Sequence, residues 1–198
     1  MMGSLEALKA ELQHFGERND HEHSDRPMRM LNITRETGEF LSVLVRATAA
    51  RHILEIGTSN GYSALWLAEA ASAVGGSVTT VEASEYKAGL ARETFSRSGL
   101  SKHITLIHDD AERVLGQSRA DAFDLIFLDS NRSAYPQWWR MIRHVLRPGG
   151  LLIVDNALSH REEMAPFSAL VEADEAFTVS LVPVGKGELL AVKAGGSG

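Results

Sequence analysis

Cysteine is absent from the 198-residue chain. That removes disulfides, thiolate nucleophiles and zinc-thiolate sites together. No apolar run approaches the ~20 residues needed to cross a bilayer, and the amphipathic start MMGSLEALKAELQ lacks the apolar stretch of a signal peptide. A cytoplasmic protein without membrane contact is expected. There is no excess of basic charge either: a net charge of −6 and a pI near 5.7 leave no general electrostatic footprint for nucleic acid, which favours small-molecule chemistry. Internal repeats are missing, and low complexity is confined to the Gly/Ser tail Ala194 to Gly198. What is present is a 44% share of hydrophobic residues, enough at this length for one well-buried core and too little for two. A single domain over residues 1–198 follows, with a helical segment at 1–50, a core at 51–193 and a tail at 194–198.

The first segment reads as a helix from Ser4 to about Gly16, then a polar connection from Glu17 to Arg29. The His21-Glu22-His23 spacing within that connection could hold a metal, but so hydrophilic a run reads better as a solvated linker. A second helix follows Thr34, an N-cap with Glu36 in the first turn, and carries Phe40, Leu41, Leu44 and Val45 on its apolar face. From Arg51 onward short apolar runs alternate with helix-length amphipathic segments. The expected strands are His52–Gly57, Ser77–Glu82, Ile104–His108, Phe123–Asp129 and Leu151–Asp155, a pattern that implies a parallel sheet with helices on both faces. ILEI, LIFL and LLIV are apolar at consecutive positions, as in strands covered on both sides. A further helix near Glu162–Ala173 precedes two strands, Phe177–Val182 and Glu188–Lys193. Their join, Pro183 to Gly187, is too short for a parallel crossover and makes them an antiparallel hairpin.

The stretch Glu55 to Ser63, EIGTSNGYS, admits two chemistries. Gly57-Thr58-Ser59-Asn60-Gly61 fits the G-x-S-x-G of a serine hydrolase elbow, and Ser59, Asp129 and His160 even follow the Ser…Asp…His order of an α/β-hydrolase. The context argues against it, because only about fifty helical-looking residues precede the motif and no HGG-type loop supplies an oxyanion hole. The same residues fit a nucleotide-binding glycine turn, lacking one glycine, whose helix N-terminus offers N–H groups to an anion. Glu82, closing VTTVE, sits where a carboxylate would accept the hydroxyls of a ribose. Glu55, and Ser59 in place of a middle glycine, suit a cofactor with no pyrophosphate to lay on the turn. S-adenosylmethionine is such a cofactor, and the terminal hairpin fits its methyltransferases better than a dehydrogenase.

A second constellation ends the next two apolar runs: Asp129 after FDLIFL, and Asp155-Asn156 after LLIV. If those strands are neighbours, their ends lie ~5 Å apart and two carboxylates and an amide oxygen face one cleft. Three hard oxygen donors suit Mg²⁺, or Ca²⁺ or Mn²⁺, with positions left for substrate.

With these motifs the chain resembles the cation-dependent O-methyltransferases of the catechol and caffeoyl-CoA type, densely from Ile53 to Leu158 and loosely from Met28 to Lys193. The resemblance implies a Rossmann-like sheet. It implies that Asp129, Asp155 and Asn156 hold a metal that binds two adjacent acceptor oxygens, with Asp129 also bordering the cofactor. Glu55, Gly57, Ser59, Tyr62 and Ser63 would line the methionine end of S-adenosylmethionine, Glu82 its ribose and Asp110-Ala111 its adenine, with Ile33 and Thr34 closing over it. A homodimer is also implied. The reaction would be an in-line methyl transfer to a hydroxyl whose pKa the metal lowers.

Three departures bear on the acceptor. Arg132 stands where the family commonly has a lysine proposed as general base, and it stays protonated, so it can stabilise an oxyanion but not take a proton. His160 is a candidate base in its place. Lys186 replaces an acidic residue in the last hairpin turn, and NALSHREEMAP lacks the longer insertion by which many relatives wrap the acceptor. Arg140, Arg143 and Arg147 fall on one helix face and could meet RNA if the acceptor were a hydroxylated tRNA base, although a solvated face is the simpler reading. Of Trp138 and Trp139, at least one belongs to the core or an interface. A cofactor-binding protein with decayed catalysis is the remaining alternative.

Overall fold

The computed structural model describes residues 4–195, so Gly196 to Gly198 of the expected tail lie outside it. Seven strands form one sheet in the order β3-β2-β1-β4-β5-β7-β6. They are β1 (His52–Ile56), β2 (Ser77–Glu82), β3 (Ile104–His108), β4 (Phe123–Leu128), β5 (Leu146–Val154), β6 (Phe177–Val182) and β7 (Glu188–Lys193). The first five are parallel, and β7 inserts antiparallel between β5 and β6, so the terminal hairpin is attached through its second strand. The chain runs outward from β1 to β3, then returns and proceeds from β4 to β5. The strand order therefore reverses between β1 and β4, the place where open α/β sheets bind their ligands.

Consecutive apolar residues on the central strands serve both faces. Ile53, Leu125, Phe127 and Ile153 join the core beneath α2 (Arg35–Ala47) and α3 (Tyr62–Ala73). Leu54, Ile126, Leu128 and Leu152 join the opposite core, beneath α6 (Tyr135–Val145) and α7 (Arg161–Glu172). Each such side chain stabilises by about 1.5–3 kcal/mol through burial, and within ILEI, LIFL and LLIV only Glu55 is polar. The two remaining core helices are α4 (Glu85–Ser98) and α5 (Ala111–Gln117). β5 starts five residues before the expected Leu151, because Leu146 pairs with Phe123 across a register shift.

The first helix corrects the sequence reading. α1 runs from Leu5 to Glu22, six residues past Gly16, and takes in half of the supposed linker. Its inward face carries Leu8 and Leu12, then turns to Gly16 and Asn19, so apolar periodicity fades while the helix continues. Gly16 lies against Asn32, which leaves no room for a Cβ, and Asn19 accepts from the Met30 amide at 3.1 Å. His23 ends the helix with its ring on the Asn19 carbonyl, 3.0 Å away. The buried Lys9 is neutralised by Glu69 at 2.6 Å and Glu6 at 3.0 Å and stacks 3.7 Å from the Trp66 ring, tying α1 to α3. Among the described residues no helix is long and apolar enough to cross a membrane.

Candidate active site

The β1 to α3 turn is built on unusual backbone. Gly57 (φ 105°), Ser59 (φ 50°) and Gly61 (φ 88°) all take the left-handed region. At Gly57 a Cβ would also overlap the carbonyl of Asp129 on the adjoining strand end, so only glycine fits there. The turn uses most of its own donors. Gly57 and Thr58 give their N–H groups to Val81 O, Ser59 to Glu82 Oε2 at 2.8 Å, Gly61 to Thr58 O and Tyr62 to Asn60 Oδ1. Five of the amides expected to be free along this turn are therefore used internally.

Two carboxylates frame it. Glu55 is fully buried, accepting from Ser63 Oγ and Thr80 Oγ1 at 2.5 Å each. Burial outweighs those hydrogen bonds and pushes its pKa up to about 7. Glu82 accepts from the amides of Ser59 and Ser84 and faces the cleft with lone pairs to spare. Ser59 Oγ donates to the carbonyl of Met30 at 2.7 Å, while Asp20 of α1 accepts from the amides of Met30 and Leu31 at 2.7 and 3.0 Å. These bonds pin the segment 30–33 across the turn, with Leu31 held at a φ of 53° and Ile33 on the cleft wall.

Beside the reversal point β4 and β5 are paired neighbours, Leu128 opposite Val154, so Asp129 and Asp155-Asn156 follow side by side. Asn156, itself at a φ of 68°, donates from Nδ2 to Asp155 Oδ2 at 2.7 Å and Asp129 Oδ1 at 3.2 Å. Asp155 is 2% exposed, and its Oδ1 has no partner. Desolvation, then the nearby charges of Asp155 and Glu55, holds the Asp129 carboxyl well above the usual range. Glu188, at the start of β7, adds a third buried carboxyl. Its Oε1 accepts from Thr37 Oγ1 at 3.1 Å and its Oε2 has no partner. Burial and the Asp155 charge push its pKa up to about 10. Two enclosed carboxyls and an amide, with Asp155 Oδ1 lacking a hydrogen-bond partner, are a hard-oxygen donor set of the kind that suits a divalent cation.

A cleft of about 870 Å³ gathers most of the expected residues. Ile33, Gly57, Ser59, Ser63, Glu82, Asp110, Ala111, Asp129, Arg132, Asn156 and His160 all line it. Asp110 caps α5 by accepting from the Glu112 amide at 2.8 Å. Glu55 and Asp155 are buried supports of the cleft rather than its surface. Tyr62 does not line it: the ring turns into the core, edge-on to Trp66, because the first helical residue after the αL Gly61 points away from the strand ends. Thr34 likewise lies off the wall, its hydroxyl accepting from the Thr37 amide as the α2 N-cap.

The hydrolase arrangement is excluded by the same geometry. Ser59 Oγ is committed to Met30, and His160 pairs through Nδ1 with Ser159 Oγ at 2.9 Å. Desolvation and the Arg132 charge lower the His160 pKa, so its ring is neutral near pH 7. Arg132 is 5% exposed and donates from Nε to Glu163 at 2.9 Å. On α6, Arg143 is paired with Asp174, while Arg147 at the start of β5 is paired with Asp124, so of the supposed RNA face only Arg140 has no ion-pair partner among the described residues. Trp138 and Trp139 are both buried, Trp139 against Phe167 and Phe177, and Trp138 with an edge on the cleft.

A doubly wound sheet with a glycine turn after its first strand, a carboxylate closing its second and a cleft at the reversal point defines an α/β protein of the Rossmann-like, nucleoside-cofactor-binding class. The chain belongs to the O-methyltransferase family, whose pattern it matches over residues 8–194. A protein of Mycobacterium sp. (strain JLS) bearing an O-methyltransferase name is 33% identical over 174 residues, 81% of this chain and 79% of the relative. A catechol O-methyltransferase of Mycobacterium tuberculosis is 36% identical over 129 residues, 64% of this chain and 57% of the relative. Among solved structures, the O-methyltransferase of Bacillus cereus in complex with SAH superposes with a TM-score of 0.80 at 26% identity, covering 94% of this chain and 90% of that one.

Proposed function

We propose that this O-methyltransferase moves the methyl group of S-adenosylmethionine to a hydroxyl of a small catechol-like or vicinal-diol acceptor, with a divalent cation held by Asp129, Asp155 and Asn156. One observation carries the reading: Asp129 and Asn156, backed by the buried Asp155, line the same cleft as Ser59, Ser63 and Glu82 of the cofactor turn. The bound cation would lower the pKa of the acceptor hydroxyl and fix its oxygen, and the cofactor would supply the electrophilic methyl. Everything else falls to the chain. Glu82 takes the ribose hydroxyls, Ser63, held by Glu55, faces the methionine end, and Ile33 with the pinned segment shields the sulfonium from water. Neutral His160 is placed to accept the hydroxyl proton, and Arg132, permanently charged, stabilises the oxyanion that remains.

The experiment is methyl transfer from labelled S-adenosylmethionine to catechol, with and without EDTA. Chelation abolishes transfer and added Mg²⁺ restores it. Asp129→Ala lowers kcat/KM by about 10³-fold, the several kcal/mol of charge stabilisation a metal provides, while binding of S-adenosylhomocysteine persists. Transfer that survives both EDTA and Asp129→Ala would remove the cation from the mechanism.

A further inference from the structure

The two ends of the cleft differ in charge. Around the turn the walls are acidic, with Glu82, Asp109, Asp110 and Glu112 facing Lys87. The walls also carry Arg26, Arg29, Arg132 and Lys186. Among the described residues only Arg132 of these four has a carboxylate partner, the exposed Glu163. Arg29 buries its Nε on the wall with no hydrogen-bond partner. Three of these cations, from three separate connections, converge near His160: Arg26 from the connection after α1, Arg132 from the turn after β4, and Lys186 from the β6 to β7 turn. They share one surrounding, since Arg132, Arg26 and Lys186 all act on the His160 ring, and Arg132 and Lys186 also act on Asp129. With a cation on the Asp129/Asp155 pair, that end of the cleft is strongly positive. Such a field selects for negative charge and disfavours a cationic amine acceptor.

From this convergence we infer that the acceptor carries an anionic oxygen group, a carboxylate or phosphate, on the side of the molecule away from the hydroxyl that receives the methyl. The inference rests on the catechol-like reading above and narrows it. Arg26 and Lys186 are exposed and long, and they meet the anion as the acceptor enters. Arg132, buried and held by Glu163 beside the reacting oxygen, adds its fixed positive charge to the field they set up. Trp138, on the wall of the same cleft, gives the acceptor's ring an apolar neighbour.

The test is calorimetric titration of the S-adenosylhomocysteine-loaded protein in excess Mg²⁺ with three probes: 3,4-dihydroxybenzoate, 3,4-dihydroxybenzylphosphonate and the neutral 3,4-dihydroxybenzamide. At least one anion binds about tenfold or more tighter than the amide, and the tighter of the two identifies carboxylate or phosphate as the group read. In the double variant Arg26→Met, Lys186→Met that advantage shrinks towards unity while the amide's affinity is kept. Raising the salt concentration shrinks it in the parent protein as well. Equal affinity for all three probes, or equal loss of all three in the double variant, would overturn the inference. A double variant that binds S-adenosylhomocysteine more weakly would overturn it too, by assigning these cations to the cofactor's own carboxylate. A clear anion preference with no methyl transfer to any catechol would keep this inference and discard the proposed acceptor hydroxyl. Failure of all three to bind would discard both.

Discussion

The cofactor end of the cleft and its acceptor end are made from different materials. The first consists of strand ends, a turn on left-handed backbone and short side chains whose polar atoms are nearly all paired: Glu55 with Ser63 and Thr80, Glu82 with two amides, Ser59 with Met30. The second consists of long basic side chains reaching in from connections, most of them without an ion-pair partner among the described residues. Paired short groups on rigid elements lose little freedom when a ligand arrives, so that end is suited to one unchanging molecule. Long cations on connections can re-aim, so the other end is suited to a ligand set by charge more than by shape. The difference teaches that the two ligands are recognised by two kinds of physics within one cavity.

Three measurements press on this contrast. The largest effect belongs to Glu55. Its pKa is raised from the usual 4.5 to about 7, so it favours folding fully below pH 4.5 and loses that contribution as the pH rises to 7. At pH 8 the buried charge costs about 3 kcal/mol. Glu55→Gln therefore stabilises the ligand-free protein at pH 8 and is near neutral at pH 5, as read by thermal unfolding at both pH values. A variant equally affected at both would mean that Glu55 is not held protonated by its pocket. Next comes Glu82→Gln, which removes a charged acceptor and weakens S-adenosylhomocysteine by about tenfold, with catechol binding untouched. If the acceptor suffers as much as the cofactor, the two ends are not independent. The smallest is Ser59→Ala, which loses one neutral hydrogen bond of about 1 kcal/mol and weakens the cofactor a few-fold, with turnover retained at saturating cofactor. Complete loss of turnover would restore Ser59 as a reacting group.

The cofactor end was also the legible one. Strand ends follow from apolar runs, and Glu82, Asp129 and Asp155 are each the first charged residue to follow such a run, with Asn156 next in line, so the pattern that fixes the sheet also places them. Tyr62 escaped because sequence spacing puts a residue on a turn without saying which way its side chain leaves it. The end of α1 escaped because its buried face there is Gly16 and Asn19, which no apolar period reports. Arg26 and Arg29 were hidden within that misread linker. Glu188 was hidden differently. A glutamate opening a strand reads as solvated, and only the order β5-β7-β6, in which β7 lies beside β5, brings it to Asp155. Long-range contacts of this kind depend on topology, and local pattern carries no record of them.

Asp20 has a bearing on where this protein can be shortened. Its carboxylate, on the outermost stretch of α1, is what keeps Met30 and Leu31 in position, and Leu31 sits in a conformation that a leucine does not choose unaided. A fragment begun at Met28 would keep every strand of the sheet, yet it would part with the clasp on segment 30–33, so a fragment meant to keep that cleft wall in place has to include α1.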